Sequence, residues 1–342
     1  MKIGILTGGG DAPGLNGIIE AVSRKILIEG HEVLGICDAF DGIFERQNRP
    51  ITLKDVQGLH THAGTFLGTS NHSKLAGRQD EFRKKYDELK LDGLIVAGGD
   101  GTFAALQEIG NGIPVVGVPK TIDNDLHGTD ITFGFDTACT VVAEAVDALY
   151  ATAEAHRRIM IVEAMGRTAG WIALGGGLAS YADAILIPER PFSKEKLLKY
   201  IERKFSEGRR GLVFVVSESA HPEGEEANVA FEVPGAVQKE RFGGIAQSMA
   251  QWISKNSEHE ARAVVLGHLQ RSRAPTTTDR FLTAAMGIEA ARLVLAKQWG
   301  RCAVYKNGEV GNAPLEVLQQ GARIVPKDHR WVKMVESLGL FI

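Results

Sequence analysis

The stretch "KIGILTGGGDAPGLNGIIEAV", residues 2–22, decides the fold. Its first six residues are rich in strand-forming apolar side chains, three consecutive glycines follow, and from Leu15 the apolar positions recur at helical spacing. A strand that runs through a glycine-rich turn into a helix is the opening half of a βαβ unit. The same alternation continues outward. Residues 32–36, 92–97 and 113–118 read as strands, with helices over 15–30 and 82–90. These strands are nearly continuous apolar runs, the pattern of a parallel sheet covered on both faces. A second series follows, with helices over 137–156 and 170–180 and strands over 158–164, 184–187, 211–216 and 262–267. The chain then returns to the first series through a helix at 278–300 and a strand at 302–306. The expected class is α/β, with two doubly wound Rossmann-like lobes and mainly parallel sheets. Residues 221–235, polar and with two prolines, read as a surface excursion.

With 342 residues, 44% of them hydrophobic and 24% charged, the chain is long enough to bury two cores. A formal charge of −3 gives no broad electropositive field, so neither nucleic acid nor an acidic membrane surface is an expected partner. Cys37, Cys139 and Cys302 stand far apart, without disulfide or zinc-ligand spacing, which fits a reducing cytoplasm. No apolar run approaches the roughly 20 residues a membrane helix needs. Gly8, Gly9, Gly10 and Asp11 interrupt the first strand too early for a signal peptide. A soluble, cytoplasmic protein is expected.

In open α/β sheets, ligands collect at the carboxyl ends of strands, where loops converge and helix N-termini point. Three motifs belong there. "TGGGDAPGLNG" (7–17) ends the first strand. Its glycines let backbone N–H groups approach a phosphate; a tight turn needing positive φ explains them as well. The spacing matches neither the dinucleotide fingerprint nor the P-loop, which disfavours a dehydrogenase and a Walker-type ATPase. "AGGDGTFAAL" (97–106) repeats the design, and Asp100 is either a Mg²⁺ ligand beside phosphate oxygens or a helix cap. "GVPKTIDNDL" (117–126) places Lys120 just before Asp123 and Asp125. On an extended chain these two aspartates face one way, so that one can accept the proton of an attacking hydroxyl while the other holds its surroundings. An Asx-turn that satisfies its own backbone is the alternative. Beside two glycine-rich loops of phosphate-binding type, the catalytic alternative prevails.

Taken in order, "GGDAPGLN", "GTFLGTS", "GGDGT", "PKTIDND", "GFDTA", "EAMGRTAGW", "LIPE" and "VLGHLQR" resemble the phosphofructokinases, in the branch shared by ATP-dependent and diphosphate-dependent enzymes. The resemblance spans nearly the whole chain. It implies a nucleotide-binding lobe over 1–134 and 270–319 and a sugar-phosphate-binding lobe over 135–269 and 320–342. The activity it implies is glycolytic: Mg²⁺-assisted phosphoryl transfer from ATP to the 1-hydroxyl of fructose 6-phosphate. Gly10 would contact the transferred group, Asp100 would hold Mg²⁺, and Phe40, Gly101, Thr102 and Lys120 would complete the nucleotide side. Asp123 would be the base, with Thr121 and Asp125 alongside, and Arg167 would offset charge on the equatorial oxygens. Met165, Gly166, Glu218, His268 and Arg271 would hold the sugar phosphate. Arg158 and Arg262 would reach in from a neighbouring subunit of a homodimer or homotetramer.

Some positions depart from the family pattern or divide its branches. Gly101 stands where diphosphate enzymes of the family carry aspartate, and so favours ATP. Lys120 resembles the diphosphate enzymes, but an added cation is easier to accommodate than an added carboxylate, so ATP is expected over diphosphate. Asn71 replaces the usual arginine that bridges donor and acceptor phosphates, a loss of about 2 to 4 kcal/mol in the barrier that Lys74 or Arg78 would have to offset. "QRSRAP" (270–275) replaces the usual "QRGGSP", putting Ser272 and Arg273 beside the acceptor pocket. Another sugar, a polyol or a nucleoside is therefore an alternative acceptor, and a noncatalytic nucleotide or metabolite sensor is an alternative of another class. Glu20, where allosteric members carry arginine, would repel a phosphorylated effector, although Arg24 persists one turn later; weak or absent regulation is expected.

Overall fold

The computed structural model of the chain describes residues 1–70, 77–109, 112–232 and 240–342. In chain order its strands are β1 (Lys2–Thr7), β2 (Glu32–Ile36), β3 (Asn48–Ile51), β4 (Gly93–Gly98), β5 (Val115–Pro119), β6 (Ile159–Ala164) and β7 (Ala184–Leu186). There follow β8 (Leu212–Ser217), β9 (Val229–Glu232), β10 (Glu240–Phe242), β11 (Ala261–Val265), β12 (Arg301–Lys306) and β13 (Glu309–Pro314). A seven-stranded sheet has the order β13-β12-β5-β4-β1-β2-β3 and is parallel except at its edge pairs, β2 with β3 and β12 with β13. A second, four-stranded sheet, β11-β6-β8-β7, is parallel throughout. The strands β9 and β10 form a separate antiparallel hairpin.

The central strands bury both faces, as their apolar runs demand. Along β4, Leu94 and Val96 enter one core while Ile95 and Ala97 enter the other. Along β6, Ile159 and Ile161 face one side, and Met160, Val162 and Ala164 face the opposite side. Each sheet is therefore covered by helices on both faces, since that burial supplies most of the folding free energy. Among the described residues, no helix is long and apolar enough to cross a membrane.

Topology places the site. From β1 the chain goes to β2 on one side and later crosses to β4 on the other, so the loops after β1 and β4 diverge at a switch point. Gly8 N donates to Ala97 O at 2.9 Å across that gap.

Four strands escape the apolar pattern. β3, β9, β10 and β13 are mostly exposed or half-exposed, and all four lie at a sheet edge or in the hairpin with no buried face to encode them. Pro50 within β3 is tolerated because an edge strand needs no donor on its outer side. The segment expected as a surface excursion thus contains a strand, β9, at its centre.

The two sheets are joined by the N-termini of the helices Phe135–His156 and Thr277–Leu295. Asp279 Oδ2 accepts from Thr137 N at 2.9 Å and from Thr137 Oγ1 at 2.5 Å. Thr276 Oγ1 donates to Asp136 Oδ2 at 2.6 Å and accepts from Asp279 N at 3.3 Å. Asp279 is fully buried, and its Oδ1 has no partner among the described residues. Burial pushes its carboxyl up to about 6. A folded-state value above the unfolded one, about 3.9, means that the native state binds the extra proton. The stability that this proton brings is complete below the unfolded value and is lost as pH rises through about 6. Asp279→Asn does not titrate. Its urea-unfolding free energy should gain on the wild type by about 1.4 kcal/mol per pH unit between roughly pH 4 and 6.

Candidate active site

The loops at the carboxyl ends of β1, β4 and β5 meet those after β6 and β8, together with the helix Leu269–Ser272 after β11, around a crevice of about 540 Å³. The large sheet contributes Gly10, Phe40, Asp100, Gly101 and Thr102, and its β5 loop adds Lys120, Thr121, Asp123 and Asp125. Met165, Arg167, Glu218, His268 and Arg271 come from the small sheet's side. Residues from distant parts of the sequence are thus brought into one concavity.

Two arginines cross it. Arg167 Nη1 donates to Asp100 Oδ2 at 3.1 Å, while Asp100 Oδ1 accepts from Gly101 N at 2.7 Å. Asp100 therefore braces the start of its own helix and faces the crevice at the same time. Arg167 reaches it because its backbone is left-handed, with φ 55°, directly after Gly166. That conformation costs a non-glycine residue about 1 kcal/mol or more. Glu218 Oε1 offsets the cost by accepting from Gly166 N at 3.2 Å and from Arg167 N at 2.7 Å. Burial raises the Glu218 carboxyl, and these two N–H groups partly restore it. Arg271 Nη1 lies 3.6 Å from Asp11 Oδ1. Lys120 is buried and donates its Nζ to the Gly10 carbonyl. Burial and then the Arg271 charge lower its ammonium to about 8, against the pull of Asp123, Asp11 and Asp100.

The β5 loop corrects one expectation. Asp123 and Asp125 do not stand on an extended chain, because Asn124 between them has φ 53°. Asn124 Oδ1 accepts from Thr132 N at 3.0 Å, and Asp123 N donates to Thr121 Oγ1 at 3.0 Å. The turn is built by Thr121 and Asn124, and the Thr121 hydroxyl also engages the Asp125 carboxylate, so of the two aspartates it is Asp123 that is not consumed in making it. Asp123 Oδ1 is out of water and has no partner among the described residues. Burial raises both carboxyls, and the charge of Asp123 raises Asp125 further.

Other expected residues lie elsewhere. Arg158 and Arg262 sit at the amino ends of β6 and β11, away from the crevice, and both pair with Glu260, Arg158 Nε at 2.6 Å. Gly166 contributes only its N–H to Glu218. Asn71 and Lys74 fall outside the described residues. Arg78 is engaged by Glu81 at 2.9 Å and by the Phe44 ring at 4.0 Å, so it does not reach the crevice. Ser272 Oγ donates to Leu269 O at 3.0 Å and Arg273 pairs with Glu144. Neither lines the crevice, so within this chain the altered "QRSRAP" loop leaves the pocket wall unchanged. Glu20 is buried and accepts from His60 N at 3.0 Å and Arg24 Nε at 2.9 Å, which also occupies Arg24.

Sequence reasoning missed Glu163 and the hairpin. Phe231, Arg241 and Phe242 line the crevice. The foot of the hairpin is fixed by Glu163, which accepts from Gly244 N at 3.0 Å and Ala246 N at 2.9 Å. A carboxylate inside the apolar run "RIMIVEA" was the available signal.

A crevice between two parallel sheets, with glycine backbone, acids and arginines converging on it, defines a phosphotransferase of the α/β class. The phosphofructokinase family model matches residues 2–294, and the chain belongs to that family. It is 41% identical over 330 residues to the pyrophosphate–fructose 6-phosphate 1-phosphotransferase of Amycolatopsis mediterranei, covering 95% of this chain and 96% of the relative. It is equally 41% identical over 335 residues to ATP-dependent 6-phosphofructokinase 2 of Streptomyces coelicolor, covering 96% and 97%. Among solved structures, Pichia pastoris phosphofructokinase in the T-state superposes with a TM-score of 0.82 at 30% identity, over 93% of this chain and 35% of that longer one. The pyrophosphate-dependent phosphofructokinase of Marinobacter aquaeolei shares the fold, with a TM-score of 0.83 at 21% identity over 99% and 91% of the two chains.

A Cβ on Gly10 would lie 2.4 Å from Arg271 Nη1. The guanidinium is the flexible end of its side chain, so Gly10→Ala should fold with a Tm within about 2 °C of wild type. On the expectation that Arg271 holds the sugar phosphate, its displacement should lower calorimetric affinity for fructose 6-phosphate roughly tenfold.

Proposed function

We propose that this chain transfers the terminal phosphoryl group of ATP to the 1-hydroxyl of fructose 6-phosphate. One observation carries this: Asp123 holds a dehydrated carboxylate oxygen, without a partner among the described residues, in the same crevice as the Gly10 backbone and the Arg167–Asp100 pair. An acid that is not spent on its own loop is available to take the proton of the attacking hydroxyl. Phosphoryl transfer otherwise asks for positioning and for charge stabilisation. The Arg167 guanidinium is the cation aimed across the crevice for the equatorial oxygens, and the left-handed turn held by Glu218 keeps it there. His268 and Arg271 would bind the sugar phosphate from the small-sheet side, with the nucleotide along Phe40, Gly101 and Thr102. This arrangement assigns the nucleotide to the lobe 1–134 and 270–319 and the sugar to the remainder.

Mg²⁺ fits Asp100. The residue offers one hard carboxylate beside the phosphate path, and among the described residues no group of three or more His, Cys, Asp or Glu forms an all-protein cage. Bound with the nucleotide, the ion would neutralise charge on the phosphate oxygens. Arg262, exposed, and Arg158, half-buried, stand at the far end of the small sheet and are suited to the crevice of a second copy, so the active unit is at least a dimer.

The curated relatives carry the names of both donors. Gly101 favours ATP because an aspartate there would set a carboxylate against the nucleotide's α-phosphate. The second candidate donor is diphosphate, and Lys120 is the observation in its favour, as a buried cation beside Gly10.

Product formation from fructose 6-phosphate and Mg²⁺ with either ATP or diphosphate tests the proposal. Asp123→Asn should lower kcat by about 10² to 10⁴ while both KM values change less than about threefold. Because Asp123 acts as the anion and burial raises its pKa, wild-type kcat should fall as pH drops through a value above the ordinary aspartate figure of about 3.9. Gly101→Asp should abolish turnover with ATP. Undiminished turnover of that variant with ATP would refute the steric argument.

A further inference from the structure

The C-terminal segment packs against the β5 loop outside the lining of the crevice, and there Arg323 makes contacts that the phosphotransfer chemistry does not explain. Its backbone N donates to Asp125 O at 2.7 Å. Its Nη2 donates to Asn124 O at 2.7 Å and to Asp130 O at 3.3 Å. The guanidinium lies over the Trp171 ring, 4.6 Å from its centroid, and Trp171 Nε1 donates back to Arg323 O at 2.8 Å. Trp171 opens the helix that follows the Arg167 turn. Two residues further on, Val325 N donates to Glu189 Oε1 at 2.8 Å, and that same carboxylate accepts from Gly170 N at 3.0 Å. One short stretch of chain thus grips both the loop that carries Asp123 and the turn that carries Arg167.

We propose that Arg323 is a positioning residue for phosphoryl transfer, locking the Asp123 loop to the Arg167 turn so that base and cation keep one separation. The carbonyls of Asn124 and Asp125 are the two that follow Asp123, and with both held the left-handed Asn124 cannot relax toward an extended path. Relaxation would swing the Asp123 carboxylate, which has no partner of its own at Oδ1 among the described residues. A planar fork suits this task, because one guanidinium can donate to carbonyls and stack on an indole together. The carbonyls of Asn124 and Asp125 lie in a buried stretch of the loop and need donors. A guanidinium is a costly way to supply one, since its dehydrated Nε is left buried without a partner among the described residues.

The inference rests on the phosphotransfer assignment of Asp123 and Arg167. Wild-type, Arg323→Lys and Arg323→Met enzymes are compared in kcat, in KM for ATP and fructose 6-phosphate, and in thermal midpoint. Arg323→Met should lose about 30- to 100-fold in kcat with both KM values within about threefold, as a displaced catalytic group does. Arg323→Lys, which keeps the charge and one donor, should recover at least about fivefold of that loss. A folded Met variant with kcat within about twofold of wild type overturns the proposal, as does a loss that falls on KM or merely follows the unfolded fraction. Should the Met variant not fold, the Lys variant decides. A kcat reduced about fivefold or more at unchanged KM supports the proposal, and a kcat within about twofold overturns it. A wild-type protein inactive with both donors overturns this proposal and the assigned function together. An active wild type with indifferent Arg323 variants overturns this one alone.

Discussion

Arg167 is aimed across the crevice by a left-handed turn that the carboxylate of Glu218 holds. Glu218 takes the N–H groups of Gly166 and Arg167, the backbone turns left-handed, and the guanidinium then reaches Asp100 on the other sheet. That ion pair is about one-third exposed on each side, 31% and 34%, so solvent screens it and it contributes at most about 1 kcal/mol to stability. Its energetic value is too small to account for a strained turn and a buried acid. Its positional value does account for them. The chain keeps a cation and an acid in register at the point where a phosphate would lie, and the two sheets frame that register.

The crevice is also short of positive charge. Asp11, Asp100, Asp123, Asp125, Glu163, Glu218 and Glu240 line it, against Lys120, Arg167, Arg241 and Arg271. An excess of acids in a site poor in water is self-repulsive, and burial combined with neighbouring acids raises Asp123, Asp125 and Glu218. A polyphosphate entering unaccompanied would add to the repulsion. A divalent cation arriving with the donor would relieve it, which is a reason apart from family likeness to propose Mg²⁺ at Asp100.

The sequence was most legible where burial is complete. β1, β4, β5, β6 and β8 are almost wholly buried, and their apolar runs announced them within one or two residues. The glycine turns were legible because they end such runs. Edge strands were not, since half-exposed residues carry no period that separates strand from loop. In the site, Asp100 and Asp123 could be singled out because a carboxylate at a strand end is conspicuous, but their surroundings could not. The left-handed Asn124, the Glu163 anchor of the hairpin and the outward turn of Arg273 toward Glu144 all depend on partners more than fifteen residues away or on backbone angles. Arg323 lay in a tail without any motif, and only the fold brings it against the loop of Asp123.

Donor choice reduces to two side chains with unequal leverage. Lys120 is not poised at the open mouth of the crevice; it is buried, and its ammonium is already bonded to the carbonyl of Gly10. Its charge lies under the glycine turn, where it would serve a phosphate common to either donor. Enzymes named for ATP and for pyrophosphate are equally similar to this chain, at 41% identity. Position 101 acts differently. A carboxylate there would join seven others in a crevice with four fixed cations, at the place where ATP continues beyond its outer phosphates and diphosphate does not. Repulsion and bulk would then fall on one donor alone, and Gly101 leaves both absent.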